Sequence, residues 1–85
     1  MGNAVTWHPK ARAGLANLWR HAPDREAVTA AAHQIDRVLK LAATRLGREY
    51  QGNWYLQVRR FAVAYCVNRD AGWVQVTDVR LVPEQ

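Results

Sequence analysis

The chain of 85 residues has one cysteine, Cys66, so an internal disulfide framework is excluded. Cys66 lies inside an alternating apolar run with no partner at metal-ligand spacing, which assigns it to packing rather than chemistry. Acids are scarce too, with seven Asp and Glu against twelve Lys and Arg, a net charge of +5. No apolar run approaches the ~18 residues that a membrane span needs. The opening Met1-Gly2-Asn3-Ala4-Val5 has neither the charged lead nor the apolar centre of a secretion signal. The expectation is a soluble cytoplasmic protein with no membrane contact.

Also missing are a phosphate-binding glycine loop, a Cys/His ligand cluster and a glycine-flanked serine, so neither a metal nor a cofactor is expected. The histidines do not supply a convincing general base. His8 precedes Pro9 at a helix start and is suited to capping. His21 falls in the last turn of the same helix, opposing its negative dipole end, and His33 sits among alanines on a solvent side. A chain this short is one domain, 1–85, burying only roughly 60–65% of the surface its unfolded form exposes. Any activity is therefore expected on an open face rather than in a deep cavity.

What is present is a C-terminal block of alternating residues. Trp54, Leu56 and Val58, then Phe61, Val63, Tyr65 and Val67, place an apolar side chain at every second position, the pattern of strands with one buried face. Three strands are predicted, over 54–60, 61–68 and 73–82, with a turn at 68–72 in which Gly72 accepts positive φ. The junction at Arg59-Arg60 suits a tight hairpin poorly, because its positions favour Gly, Asn or Asp, and a longer connection is expected there.

Ahead of this block, Asn3 to Trp7 reads as a short strand and Pro9 starts a helix with Ala11, Leu15, Leu18, Trp19 and Ala22 on one face. Trp19 is expected in the core. Pro23 ends that helix and Asp24 caps a second. Val28, Ala31, Ile35, Val38, Leu39, Ala42 and Leu46 form its stripe, and Gly47 is the residue expected just past its end. Residues 48–53 read as a connection with a turn at Gly52-Asn53. The apolar faces of two helices and a sheet need each other, which defines an α+β domain of order β-α-α-β-β-β with the helix hairpin packed on one sheet face.

The charge is localised: Arg37, Lys40, Arg45, Arg48, Arg59 and Arg60 against Glu49 account for the whole net +5 between residues 37 and 60. Ten of the twelve cations are arginine, which grips phosphate through two N–H groups at once, so a polyanion or an acidic protein is the expected partner. Among the aromatics, Trp54 and Trp73 are expected to pack across the sheet. Tyr50 and Tyr55 neighbour the basic zone and are better placed to stack on bases. The candidate nucleic-acid contacts are Arg45, Arg48, Tyr55, Arg59 and Arg60.

Several strings have a familiar order: Val5-Thr6-Trp7-His8-Pro9-Lys10-Ala11 with Leu15 and Leu18-Trp19, the helix 27–39 with Ile35-Asp36, the ungapped run 54–65, and 76–80 ending in Arg80. Together they resemble the RelE/ParE superfamily of bacterial type II toxins. The resemblance implies a small toxin neutralised by a cognate antitoxin, acting by ribosome-dependent cleavage of mRNA or by poisoning DNA gyrase. Cleaving members use basic residues, often with a C-terminal tyrosine or histidine, to activate the ribose 2′-hydroxyl and stabilise charge on the phosphate. It puts Arg80 at the last-strand arginine, the candidate catalytic residue. Tyr55, Gln57 and Ala62 stand where the family carries arginines, and Leu81-Val82 where a histidine or tyrosine can stand. A non-catalytic module binding nucleic acid or protein on the same scaffold is the alternative that these departures keep open.

Overall fold

The computed structural model describes residues 3–83; Met1 and Gly2 of the N-terminal reading lie outside them. Pro9 has φ preset for a helix and no N–H to leave unpaired, and α1 (Pro9–His21) begins on it. Nδ1 of His8 accepts from the Lys10 backbone N–H at 3.1 Å, so this histidine is the cap. Asp24 caps α2 (Arg25–Leu46) by accepting from the Ala27 N–H at 3.2 Å. Before α1 runs β1 (Ala4–Trp7), and after α2 come β2 (Arg48–Tyr50), β3 (Asn53–Val58), β4 (Phe61–Asn68) and β5 (Trp73–Leu81). They form one sheet in the order β1-β5-β4-β3-β2, with β1 parallel to β5 and the other pairs antiparallel.

The expected α+β architecture is present, and two connections differ from expectation. Residues 48–50, read as part of a connection, form β2, because Gln51 and Gly52 both take positive φ (52° and 82°) and close a two-residue turn that pairs Tyr50 with Asn53. The β3–β4 junction is likewise tight: Val58 faces Phe61 directly, and Arg59 sits at φ 55°. A left-handed arginine costs on the order of 1–3 kcal/mol. The turn is held from outside, since Arg59 Nε donates to Gln34 Oε1 at 2.9 Å and Gln57 Nε2 donates to the Arg59 carbonyl at 3.1 Å.

One sheet face is covered by the helices. Trp54, Val58, Phe61, Val63, Tyr65, Val74, Val76 and Val79 are buried against Ala11, Ala31, Ile35 and Leu39, with Leu15 and Leu18 packed at the margin. Trp19 is a correction: it is 41% exposed, with the Arg25 guanidinium 4.6 Å from its ring centroid. Leu15, Leu18 and Ala22 already carry the inward stripe of α1, and Trp19 falls on its rim. Trp54 and Trp73 do not meet either. Trp54 stacks on Tyr65 at 6.4 Å, whereas Trp73 lies opposite Ala4 and Asn68.

The last turn of α2 is offset by a kink at Ala42 (φ −146°, ψ 29°). Immediately after it, the fully buried Tyr65 hydroxyl donates to the Ala43 carbonyl at 2.6 Å. Gly47 ends the helix as expected, but for a different reason: its φ is −80°, and glycine is needed for space. A Cβ there would fall inside the Tyr65 hydroxyl and 2.8 Å from the Ala43 carbonyl oxygen. Gly47→Ala is therefore expected to destabilise the domain by about 1–3 kcal/mol. Tyr65→Phe, which leaves the Ala43 carbonyl unpaired, is expected to cost about 1–2 kcal/mol at neutral pH. Burial also pushes the Tyr65 hydroxyl up from 10.0 to about 12. With the folded value raised, its contribution is complete below pH 10 and is lost as pH climbs towards 12, about 2–3 kcal/mol in all. Denaturant unfolding against pH checks this: wild type falls more steeply than Tyr65→Phe across that window.

Candidate functional site

Because strand side chains alternate, the sheet face away from the helices receives Arg48, Tyr55, Gln57, Ala62 and Ala64. Simple alternation would not put Asp78 and Arg80 there. Val74 and Val76 point into the core, so residues 78 and 80 would follow them inward. A β-bulge prevents this: Tyr65 pairs with Val76 while Ala64 pairs with Asp78, leaving Thr77 as the extra residue. Thr77 Oγ1 donates to the Ala64 carbonyl at 3.1 Å, tying the bulge to β4. Beyond it Val79 is buried, and Asp78 and Arg80 are turned outward. The signal was in the sequence as the change of apolar spacing from 74 and 76 to 79 and 81.

The registers align two rows across the face. Arg48, Tyr55, Ala64 and Asp78 are successive partners over four strands, and Gln57, Ala62 and Arg80 over three. At ~4.8 Å between strands, the first row spans about 14 Å and the second about 10 Å. The alanines of β4 are short, so the centre is a depression of about 790 Å³ rimmed by Arg48, Tyr55, Gln57, Asp78 and Arg80. Of the residues expected to bind or act, the structure thus brings together Arg48, Tyr55 and Arg80. Arg45 is exposed on the last turn of α2, one residue before Leu46, which also borders the depression. Arg59 and Arg60 are elsewhere, at the end of the β3–β4 hairpin beside the α1–α2 turn.

Asp78 is the residue that sequence reading missed. Its Oδ2 accepts from Arg80 Nε at 2.9 Å and its Oδ1 accepts from the Val79 N–H at 3.0 Å. The Arg80 side chain is 82% exposed, so the pair contributes at most ~1 kcal/mol to stability. Its consequence is electrostatic: the arginine is pre-oriented along the strand and a carboxylate lies against its charge. None of the three histidines borders the depression. The face therefore offers two guanidinium groups, a phenol ring and an amide, which suit phosphate and base contacts. Among the described residues no cluster of His, Cys, Asp and Glu could hold a metal, and no helix is long and apolar enough to cross a membrane.

No family model and no curated protein matches the chain. Solved structures do. A chain of the toxin–antitoxin complex RelBE2 from Mycobacterium tuberculosis superposes with TM-score 0.84 at 15% identity, over 99% of this chain and 95% of that one. A chain of the chromosomal ParDE system of P. aeruginosa gives 0.76 at 22% identity, over 95% and 97%. The isolated E. coli RelE toxin gives 0.64 at 14% identity, over 98% and 87%. At such identities the likeness is one of fold: the chain has the RelE/ParE fold.

The Asp78–Arg80 pair sets a test of the face. Asp78→Asn keeps an acceptor for the Val79 N–H but removes the compensating charge, so affinity for single-stranded RNA should rise and the log–log salt slope should steepen by up to ~0.7. Arg80→Ala should do the reverse. Fluorescence anisotropy over a salt series measures both.

Proposed function

We propose that this protein is the toxin of a type II toxin–antitoxin pair, restrained by a cognate antitoxin and acting through its open sheet face on messenger RNA at the ribosome. The observation that carries the reading is the pair of rows holding Arg48, Tyr55 and Arg80 around one depression on a fold shared with RelE. In this reading Tyr55 stacks on a base, Arg48 and the neighbouring Arg45 hold the backbone, and Arg80 meets the phosphate at which charge develops. The 2′-hydroxyl is the nucleophile, and the ribosome completes the acid–base groups that this face does not carry.

A second reading is favoured by a specific observation. Arg80 is already engaged by Asp78, and Gln57 and Ala62 share its row without charge, an arrangement suited to binding rather than cleavage. The protein would then act on DNA gyrase, or bind nucleic acid or a partner without chemistry. Controlled expression separates these outcomes. The primary reading predicts growth arrest relieved by the product of a short neighbouring reading frame, fragmented mRNA and intact DNA, with Arg80→Ala lowering cleavage by about 10²-fold. DNA damage with intact mRNA assigns gyrase. Normal growth with intact mRNA and DNA rejects the toxin reading.

A further inference from the structure

The β3–β4 turn puts an arginine where a tight hairpin favours Gly, Asn or Asp, and surrounding residues hold it there. Arg59 at φ 55° is fixed by Gln34 and Gln57, and Arg60 is fixed through its backbone carbonyl, which accepts from the Val82 N–H at 2.7 Å. Strain that the surroundings maintain is a mark of use rather than of folding. The two arginines form one lip of an open groove of about 410 Å³ between the end of the helix hairpin and the end of the sheet. Its floor is apolar: Leu18, Ala22, Phe61 and Leu81, the last 48% exposed at the sheet end. Of the other polar groups at its border, the Asp24 carboxylate caps α2 and His21 Nδ1 donates to the Asn17 carbonyl at 2.9 Å, which leaves the uncharged Asn17 side chain beside the arginines.

We infer that this groove is the docking site for a peptide segment carrying a carboxylate next to aliphatic side chains. For the partner's identity the inference rests on the toxin reading, the segment being part of the antitoxin. Charge complementarity selects the carboxylate: two adjacent arginines line the groove, neither in a salt bridge, and the only salt bridge among the described residues lies elsewhere, on β5. The floor selects what accompanies it. Inorganic phosphate or a nucleic-acid backbone would satisfy the arginines and leave Leu81 and the half-buried Leu18 facing water, whereas an aliphatic side chain beside Asp or Glu removes both deficits. The open, trough-like form admits a chain passing through.

The test uses the purified chain and a fluorescein-labelled, capped hexapeptide of sequence leucine-glutamate-leucine-leucine-glutamate-leucine, its glutamine counterpart, and a poly(U) strand. The expected result is saturable binding of the acidic peptide, weakened at least tenfold by glutamine, by Arg59→Gly, by Arg60→Ala and by Leu81→Ser. Arg59→Gly carries a signature that a merely structural role does not produce: it relieves the left-handed strain, so Tm stays level or rises while affinity falls. Equal affinity of wild type and the arginine variants for the peptide overturns the inference. So does absence of peptide binding, with or without poly(U) binding that depends on Arg59 and Arg60. None of these readouts involves toxicity, so failure of the toxin reading shows only in the expression experiment and is distinguished from failure here.

Discussion

The hydrogen bond from Tyr65 to the Ala43 carbonyl joins the two layers of the molecule at the point where α2 gives way to the sheet. Tyr65 is the middle of β4, the central strand, and it stacks on Trp54 of β3 while its hydroxyl reaches the kinked end of the helix. Gly47 makes room for it. A buried hydroxyl with its single partner fixes geometry strongly, because any other position leaves a polar group unpaired in the core. The direction in which the chain leaves α2 is thereby set, and with it the entry of β2 and the position of Arg48 at the rim of the open face. One interior contact thus places a surface arginine.

The opposite rim depends on a different device. The bulge at Thr77 reverses the facing of β5 beyond Val76, so that one strand contributes Val74, Val76 and Val79 to the core and Asp78 and Arg80 to the open face. Bulges commonly re-aim side chains next to functional sites. The short Ala62 and Ala64 between the rims leave the space in which a nucleotide would sit. The compensation of Arg80 by Asp78 tempers the field of this face, and the basic zone is divided among α2, β2 and the β3–β4 turn. A basic zone contiguous in sequence between Arg37 and Arg60 is therefore split in space into an open-face portion, a groove-side portion, and Arg37 and Lys40 on α2 beside β1.

The helices and the three long strands were legible in the sequence because each rule concerned neighbours along the chain: Pro9 and Asp24 as starts, a 3.6-residue stripe, and period-two alternation. The order of elements was read from the same local strings, except for β2. What escaped depends on neighbours distant in sequence. The tight Arg59 turn exists because Gln34, on α2, holds it, and no local rule anticipates that help. β2 formed because Gln51 took the left-handed conformation next to Gly52. Trp19 reads as core on a helical wheel drawn alone and lies on the rim once the sheet has chosen which side of α1 it contacts. Of the candidate site, Arg48, Tyr55 and Arg80 converge as their alternation and the bulge dictate, while Arg59 and Arg60 were near them only along the chain.

In the proposed reading nucleic acid binds on the open face of the sheet, apart from the groove at the β3–β4 turn. Backbone amide shifts recorded while the labelled chain is titrated with a non-cleavable RNA oligonucleotide test it residue by residue. Binding on the open face gives saturating shifts concentrated at Arg48, Tyr55, Gln57, Ala62 and Arg80, with little change at Leu18, Ala22 and Phe61. Shifts confined to the groove or the outer helix faces, with the open face silent, would contradict it.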